Sequence, residues 1–254
     1  MLVVASGIVS AGTFACSVQE FTYRSENDAG SVVDVAQTDS GSGGLTDAGT
    51  SDADGPVSVV DASDGGRVAS GLVALYTFKE KDGTLAHDTS GFGVPLDLTV
   101  TDPLGGLNNA KWTGDGLLIE KQTVVVSQVG AAKKIIERCA STQGLTVETW
   151  INPANVPIGN QITRVVGLAT TAAASASFSI RSEGLAYVAY FDSQSVVSAP
   201  NSVKKSLTHV VFTRDAAGRS VLYVDAVPTI NAAGAGSFKN WKIDDRVTIA
   251  NSTD

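Results

Sequence analysis

Leu207 to Val227, reading LTHVVFTRDAAGRSVLYVDAV, constrains the fold more than any other stretch of the chain. It holds two runs rich in β-branched and aromatic residues, joined by Asp215-Ala216-Ala217-Gly218. A short loop ending in Gly predicts a hairpin closed by a type I turn. Pairing the runs symmetrically about that loop sets Phe212 against Val221 and Val210 against Tyr223. On the opposite face, Val211 meets Leu222 and His209 meets Val224. Both faces are largely apolar, so both require cover. That is the situation of a strand pair in the middle of a two-sheet sandwich.

The rest of the C-terminal three quarters reads the same way. Leu72 to Phe78 is strand-like, and Val94 to Val100 predicts a short strand ended by Asp102-Pro103. Gly114-Asp115-Gly116 marks a hairpin turn, and Val124 to Val126 resumes strand character. In LTVETWIN, Leu145, Val147 and Ile151 fall on one face, with Thr146, Glu148 and Trp150 on the other, before Pro153 ends the run. Phe178 to Arg181 and Leu185 to Phe191 form another hairpin around Ser182-Glu183-Gly184, and Arg246 to Ala250 is the last strand. Ala131 to Ala140 is the one helix candidate, because Ala132, Ile135, Ile136 and Cys139 share a stripe at helical spacing. Cys139 is read as a small buried residue of that stripe. Residues 67–254 thus predict one all-β domain, large enough to bury a core without disulfides.

The charge is unevenly placed. The chain has 254 residues and a net charge of −8. Between Ser17 and Gly66 ten acidic side chains face a single basic one, Arg24, whereas the remainder is close to neutral. This acidic segment repeats Asp, Gly, Ser and Ala (TDSGSGG, TDAGTSDADG, DASDGG) and has too few large apolar residues to offset the entropy of ordering. It is expected to be a disordered linker spanning about 40 Å root-mean-square. Asp52-Ala53-Asp54-Gly55 hints at a calcium loop, but Thr50 and Asp61 stand at the first and twelfth ligand positions, where Asp and Glu are required. The acidity opposes a nucleic-acid partner.

Met1 to Ala15, MLVVASGIVSAGTFA, has no charged side chain and ends in Ala15 ahead of Cys16. It is too short to span a bilayer and fits the apolar core of an export signal, without the usual basic start. TFA-Cys16 resembles a bacterial lipoprotein cleavage box, which makes Cys16 the lipidation site and holds the protein on a membrane. The alternatives are a leader removed by ordinary signal peptidase, or an N-terminal strand. With Cys16 acylated, Cys139 has no partner and no disulfide is expected. The domains expected are therefore residues 1–16 as signal and lipobox, 17–66 as linker, and 67–254 as sandwich.

LVALYTF, LTVETWINP, LTHVVFTRDAAGRSVLYVDAV and RVTIAN together resemble the laminin-G-like, concanavalin A-like jelly-roll domain of bacterial surface proteins. Ala226 departs from the pattern, standing where Gly is usual. The resemblance covers 67–254 and implies a two-sheet antiparallel jelly-roll sandwich. It also implies a further strand beyond Asn251, pairing with the first. By that standard the domain is truncated at its C-terminus, with an open edge at Leu72 to Phe78.

Glycosidases on this kind of fold use two carboxylates on one strand, in an E-x-D-x-x-E pattern. No such run occurs, and the strand of Glu148 carries no second acid. Glu183 falls in a turn, and the adjacent Asp244 and Asp245 would point to opposite faces. His87 lies in a loop, and His209 reads as a packed strand residue. No catalytic serine setting, zinc spacing or phosphate loop is present. Calcium is possible: Asp88, Asp192 and Asp225 supply oxygens, though at no identifying spacing. Trp112, Trp150 and Trp241 could stack on sugar rings but read first as core. The expectation is a non-catalytic, exported module of the cell envelope that binds polysaccharide or a surface protein. A glycan hydrolase and a purely structural domain are the alternatives. If Cys16 is acylated, metabolic labelling with a palmitate analogue will mark the wild-type chain and Cys16→Ala will abolish the signal.

Overall fold

A computed structural model describes the backbone of residues 7–15, together with residues 70–102, 109–114, 116–121, 123–170, 176–231 and 236–250. The acidic segment, the Asp52–Gly55 calcium-loop hint and Cys16 lie outside the described residues. The described residues cluster into one compact unit.

In chain order the first strands are β1 (Gly7–Ala15), β2 (Leu72–Tyr76), β3 (Leu85–Ala86), β4 (Leu98–Thr101), β5 (Ala110–Thr113), β6 (Gly116–Ile119) and β7 (Val124–Ser127). Helix α1 (Lys133–Thr142) follows. Then come β8 (Leu145–Pro153), β9 (Ile162–Ala169), β10 (Phe178–Glu183), β11 (Ala186–Phe191), β12 (Gln194–Val197), β13 (Thr208–Arg214), β14 (Ser220–Val224), β15 (Val227–Asn231) and β16 (Arg246–Ile249).

These strands make two antiparallel sheets. The first runs β15-β14-β13-β8-β1-β6-β5, with β2 attached to β1; the second runs β12-β11-β10-β9-β16-β7-β4-β3. Their inner faces meet in one core. Leu145, Val147, Val210, Phe212 and Leu222 of the first sheet and Leu168, Phe178, Ile180 and Val247 of the second are essentially inaccessible. The Phe178 and Phe212 rings meet across the sheets with centroids 5.3 Å apart. The expected all-β sandwich is therefore present, with period-2 alternation deciding which residues enter the core.

The central hairpin sits one residue away from the expected register. Arg214 pairs with Ser220, Phe212 with Leu222, Val211 with Tyr223 and Val210 with Val224. The loop therefore holds five residues, Asp215 to Arg219, instead of four. Asp215 sets this length. Its amide donates to Arg219 O (3.0 Å), its carbonyl accepts from Gly218 N (2.9 Å), and its carboxylate accepts from Arg219 N (2.9 Å). A one-residue slip exchanges faces along one strand. Leu222 and Val224 therefore join Val210 and Phe212 in the core, and Val221 and Tyr223 share the outer face with His209 and Val211.

Three further expectations change. One edge of β2 is covered: β1 pairs with it (Gly12 with Tyr76, Thr13 with Leu75, Phe14 with Ala74). The stretch from Val94 joins the ladder only at Leu98, because Leu96 N is taken by the Asp88 carboxylate at 3.0 Å. Cys139, buried on α1 with Ile135 and Ile136 as the apolar stripe required, is disulfide-bonded. The expectation of an unpaired Cys139 followed from committing the thiol of Cys16, the chain's other cysteine, to acylation.

Asp88 joins three parts of the fold. Its carboxylate has no solvent exposure and accepts from Leu75 N on β2, from Ser90 N and Leu96 N, and from the Lys134 ammonium on α1. Burial alone would raise this carboxyl. The Lys134 ion pair and the three backbone donors outweigh burial and hold it below the ordinary carboxylate value. A depressed carboxyl stabilises the fold at pH values above the unfolded carboxyl's range, and that contribution disappears as pH falls through the folded value. Asp88→Asn leaves the Lys134 charge in a nearly closed site and should cost about 3 kcal/mol at pH 7, by the usual cost of breaking a buried ion pair. Urea unfolding will show this difference at pH 7 and little of it near pH 2.

The turn between β14 and β15 offers the opposite case. Asp225 and Ala226 both sit in the left-handed region, at φ 48° and 66°, as a two-residue type I′ turn demands. Ala there carries the strain of a Cβ in left-handed backbone, about 1 kcal/mol. Ala226→Gly should raise the urea midpoint by that amount with an unchanged denaturant slope.

Candidate functional site

β8 and β13 are hydrogen-bonded neighbours, with His209 opposite Trp150 and Val211 opposite Glu148. Since Val147 and Ile151 fill the core, the alternate residues Glu148 and Trp150 face outward, and the register brings His209 to the same face. The imidazole lies flat on the indole, with centroids 4.2 Å apart and planes 13° from parallel. Its Nε2 stands 2.9 Å from Glu148 Oε1. The side chains of both members of this pair are mostly buried, at 12% and 18% exposure. The His209 backbone is fixed as well: its N–H donates to Asp225 Oδ1 (2.9 Å) and its carbonyl accepts from Asp225 N (2.8 Å). Thr146, Val211, Thr213, Val221 and Tyr223 continue this face across β8, β13 and β14.

At the end of β8, Ile151 pairs with Thr208, so the segment after β8 and the segment before β13 leave the sheet together. Between them lies a cleft of about 390 Å³ lined by Asn155, Val156, Pro157, Ile158, Gln161, Thr163 and Lys205. Gln161 Oε1 accepts from Ile158 N at 3.1 Å and shapes the loop. The Ile158 side chain stands at the rim, 81% exposed. This lining offers amide, hydroxyl and ammonium groups beside an apolar rim and contains no carboxylate. Such a surface can hydrogen-bond hydroxyl-rich or peptide-like ligands and stack against their apolar faces.

The other sequence-marked residues are dispersed into structural roles. Asp88 ties β2 to α1. Asp192 accepts from Ser237 N (2.8 Å) and Asn240 Nδ2 (2.9 Å), and Asp225 caps the His209 backbone. The structure does not bring these three possible calcium ligands together, and among the described residues no group of three or more Asp, Glu, His or Cys forms. Asp245 is buried and accepts from Thr170 Oγ1, Ser177 Oγ and Lys242 N. Glu183 ends β10 instead of lying in the turn, and accepts from Arg181 Nε (2.7 Å) and the Tyr190 hydroxyl (2.9 Å). His87 faces Asp97 Oδ2 at 3.2 Å near the surface.

The three tryptophans part company. Trp241 is core, packed edge-on to Phe238 at 4.9 Å and tilted against Phe191 at 5.8 Å. Trp112 is half-buried and donates to Gly83 O at 2.8 Å. Trp150 is the half-buried partner of His209.

Sequence reasoning placed Glu148 and Trp150 on one face but did not join His209 to them; the β8–β13 register was the missing information. The cleft residues Asn155, Gln161, Thr163 and Lys205 were not singled out. Asn155 and Gln161 lie on the loop after β8, Thr163 on β9 and Lys205 on a loop about 40 residues further on, and no local pattern links them.

Residues 129–254 match a laminin G family model described as the concanavalin A-like lectin/glucanases superfamily. Two solved structures are similar in fold. One is the binding domain of botulinum neurotoxin DC in complex with rat synaptotagmin II: 12% identity and TM-score 0.44, with 69% of this chain and 43% of that one covered. The other is the crystal structure of HCR/D-Sa-GBL1/C: 14% identity and TM-score 0.41, with 68% and 46% covered. The chain thus spans less than half the length of either. No curated protein matches it in sequence.

His209→Ala removes both the stacking and the Glu148 hydrogen bond, and leaves a mostly buried carboxylate without its imidazole. It should destabilise the fold by about 2 kcal/mol. The additional effect of Glu148→Gln in the His209→Ala background should be much smaller than in wild type, as a double-mutant cycle by urea unfolding will show.

Proposed function

Since residues 129–254 match the family model of the concanavalin A-like lectin/glucanases superfamily, we propose that this protein is a non-catalytic binding module acting outside the cytoplasm. The observation that carries this reading is the setting of Glu148. Its hydrogen-bond partner on β13 is His209, and the outer positions registered around it are Thr146, Trp150, Val211, Thr213, Val221 and Tyr223. Hydrolysis of a glycosidic bond by the usual route requires a second carboxyl group about 5 to 9 Å away. These strand positions supply none, and the Asp225 carboxylate beside His209 is committed to the His209 backbone N–H.

The ligand contact is assigned to the cleft at the end of β8. Asn155, Gln161 and Lys205 provide donors and acceptors, and Ile158 provides an apolar rim. This chemistry suits a neutral polysaccharide first and an extended protein segment second. Export is supported by the disulfide at Cys139, since such bonds persist in oxidising compartments. Membrane attachment through an acylated Cys16 is a separate proposal, and in any one molecule it excludes a disulfide at the same sulfur.

A glycan array probed with the full chain tests the reading. Binding without product release is expected. Lys205→Ala and Gln161→Ala should each weaken the best hit about five-fold, by the loss of one hydrogen bond. Reducing sugar released from a β-glucan, and abolished by Glu148→Gln, would replace this reading with a hydrolase.

A further inference from the structure

The segment that reads as an export leader occupies the middle of a sheet. β1 pairs with β8 along its length, from Gly7 opposite Pro153 to Ala15 opposite Thr146. On its other side it pairs with β6 through Gly7–Val9 and with β2 through Gly12–Ala15. Every one of these pairings is antiparallel. Among the described residues β2 has no other strand neighbour, and the β5–β6 hairpin meets the sheet only through β1. Taking β1 away leaves three separate pieces: β8-β13-β14-β15, the β5–β6 hairpin, and β2 alone. β8 and β2 would then expose unpaired backbone in the middle of a sandwich whose core residues remain apolar.

The fit of β1 is imperfect. Ser10 is an extra residue between the pairs Val9–Ile151 and Ala11–Trp150, and the register with β2 slips between Phe14 and Ala15. The cleavage motif of the leader reading ends at Ala15, the last residue of the strand, so a cut there removes the whole of β1. Cys16 follows immediately, and it is the only cysteine besides the disulfide-bonded Cys139.

We infer that the β1 position is a strand-acceptor slot. When residues 1–15 are cut away, the sheet takes in trans an extended polypeptide strand running antiparallel to β8. This rests on the export reading above only for the event that opens the slot. The register defines the partner. It is a segment of about nine residues, uncharged and without proline in its centre. It carries apolar residues opposite Val147 and Ile151, where β1 has Phe14 and Val9, and a small residue opposite Thr149, where β1 has Gly12. Main-chain hydrogen bonds supply affinity and the alternate pockets supply specificity, as in other β-augmentation complexes.

The test uses the full chain with a protease site inserted within residues 40–50, cut after folding. The probe is a fluorescent synthetic peptide of residues 7–15. The N-terminal fragment should co-elute with the body after cutting. Upon reduction the labelled peptide should replace it, while a peptide with proline in place of Ala11 should bind at least ten-fold more weakly. A body that precipitates when the fragment leaves but stays folded when the peptide is present gives the same support. The inference is overturned if the fragment separates and the body keeps its near-ultraviolet spectrum without any peptide. It is equally overturned if the labelled peptide never enters, or if the proline peptide binds as well as the native one. None of these outcomes depends on whether a glycan is bound.

Discussion

The antiparallel ladder between β1 and β8 is the interaction on which this sandwich depends. Its sheet has a continuous half, β8-β13-β14-β15, paired strand to strand. The other half consists of a hairpin and a lone strand that do not touch β8 or each other's ladder. Backbone groups in the interior of a sandwich must be paired, and β1 is what pairs them. The core of Val73, Ala74, Tyr76, Leu117 and Ile119 lies under strands that reach the rest of the sheet only through it. The nine residues with the least distinctive sequence in the chain therefore hold the two halves of a sheet together.

The same nine residues show where the sequence was legible and where it was not. Period-2 alternation was readable for β8, whose Leu145, Val147 and Ile151 are core as expected, and helical spacing was readable for the Ile135, Ile136 and Cys139 stripe. These patterns are local and reflect burial on one face. β1 gave a pattern with two meanings. A short, uncharged run of small and apolar residues suits both an export leader and a strand buried on both faces, and only its partners distinguish them. The hairpin register failed for a different reason. Loop length was counted from residue types, whereas the side chain of Asp215 closes a five-residue loop by bonding to Arg219 N. Cleft residues on loops remote in sequence carried no local signal at all.

The candidate site follows from that register. If β13 were shifted by one residue against β8, His209 would point to the core and Glu148 would stand alone on the outer face. In the observed pairing the imidazole is clamped between an indole and a carboxylate, with its backbone bonded twice to Asp225. The His209 Nε2 and Glu148 Oε1 are bonded to each other and the His209 backbone to Asp225, which makes the group a rigid platform. The neighbouring cleft has the opposite character. It is formed largely by loops and is lined with amide, hydroxyl and ammonium groups beside the exposed Ile158. A fixed platform beside an adaptable cleft is the division of labour that recognition by a sandwich requires.

The pairing of β1 with β8 also has a consequence for the order of assembly. Gly7–Ala15 leaves the ribosome well before Leu145–Pro153, with roughly 130 residues between them. β2 and β6 can pair with it sooner, but the contacts with β8 that complete its ladder have a long sequence separation and form slowly. During that interval β1 is exposed to whatever factors meet a nascent apolar segment, and its fate is settled by a race between closure of the sheet and capture on the way out.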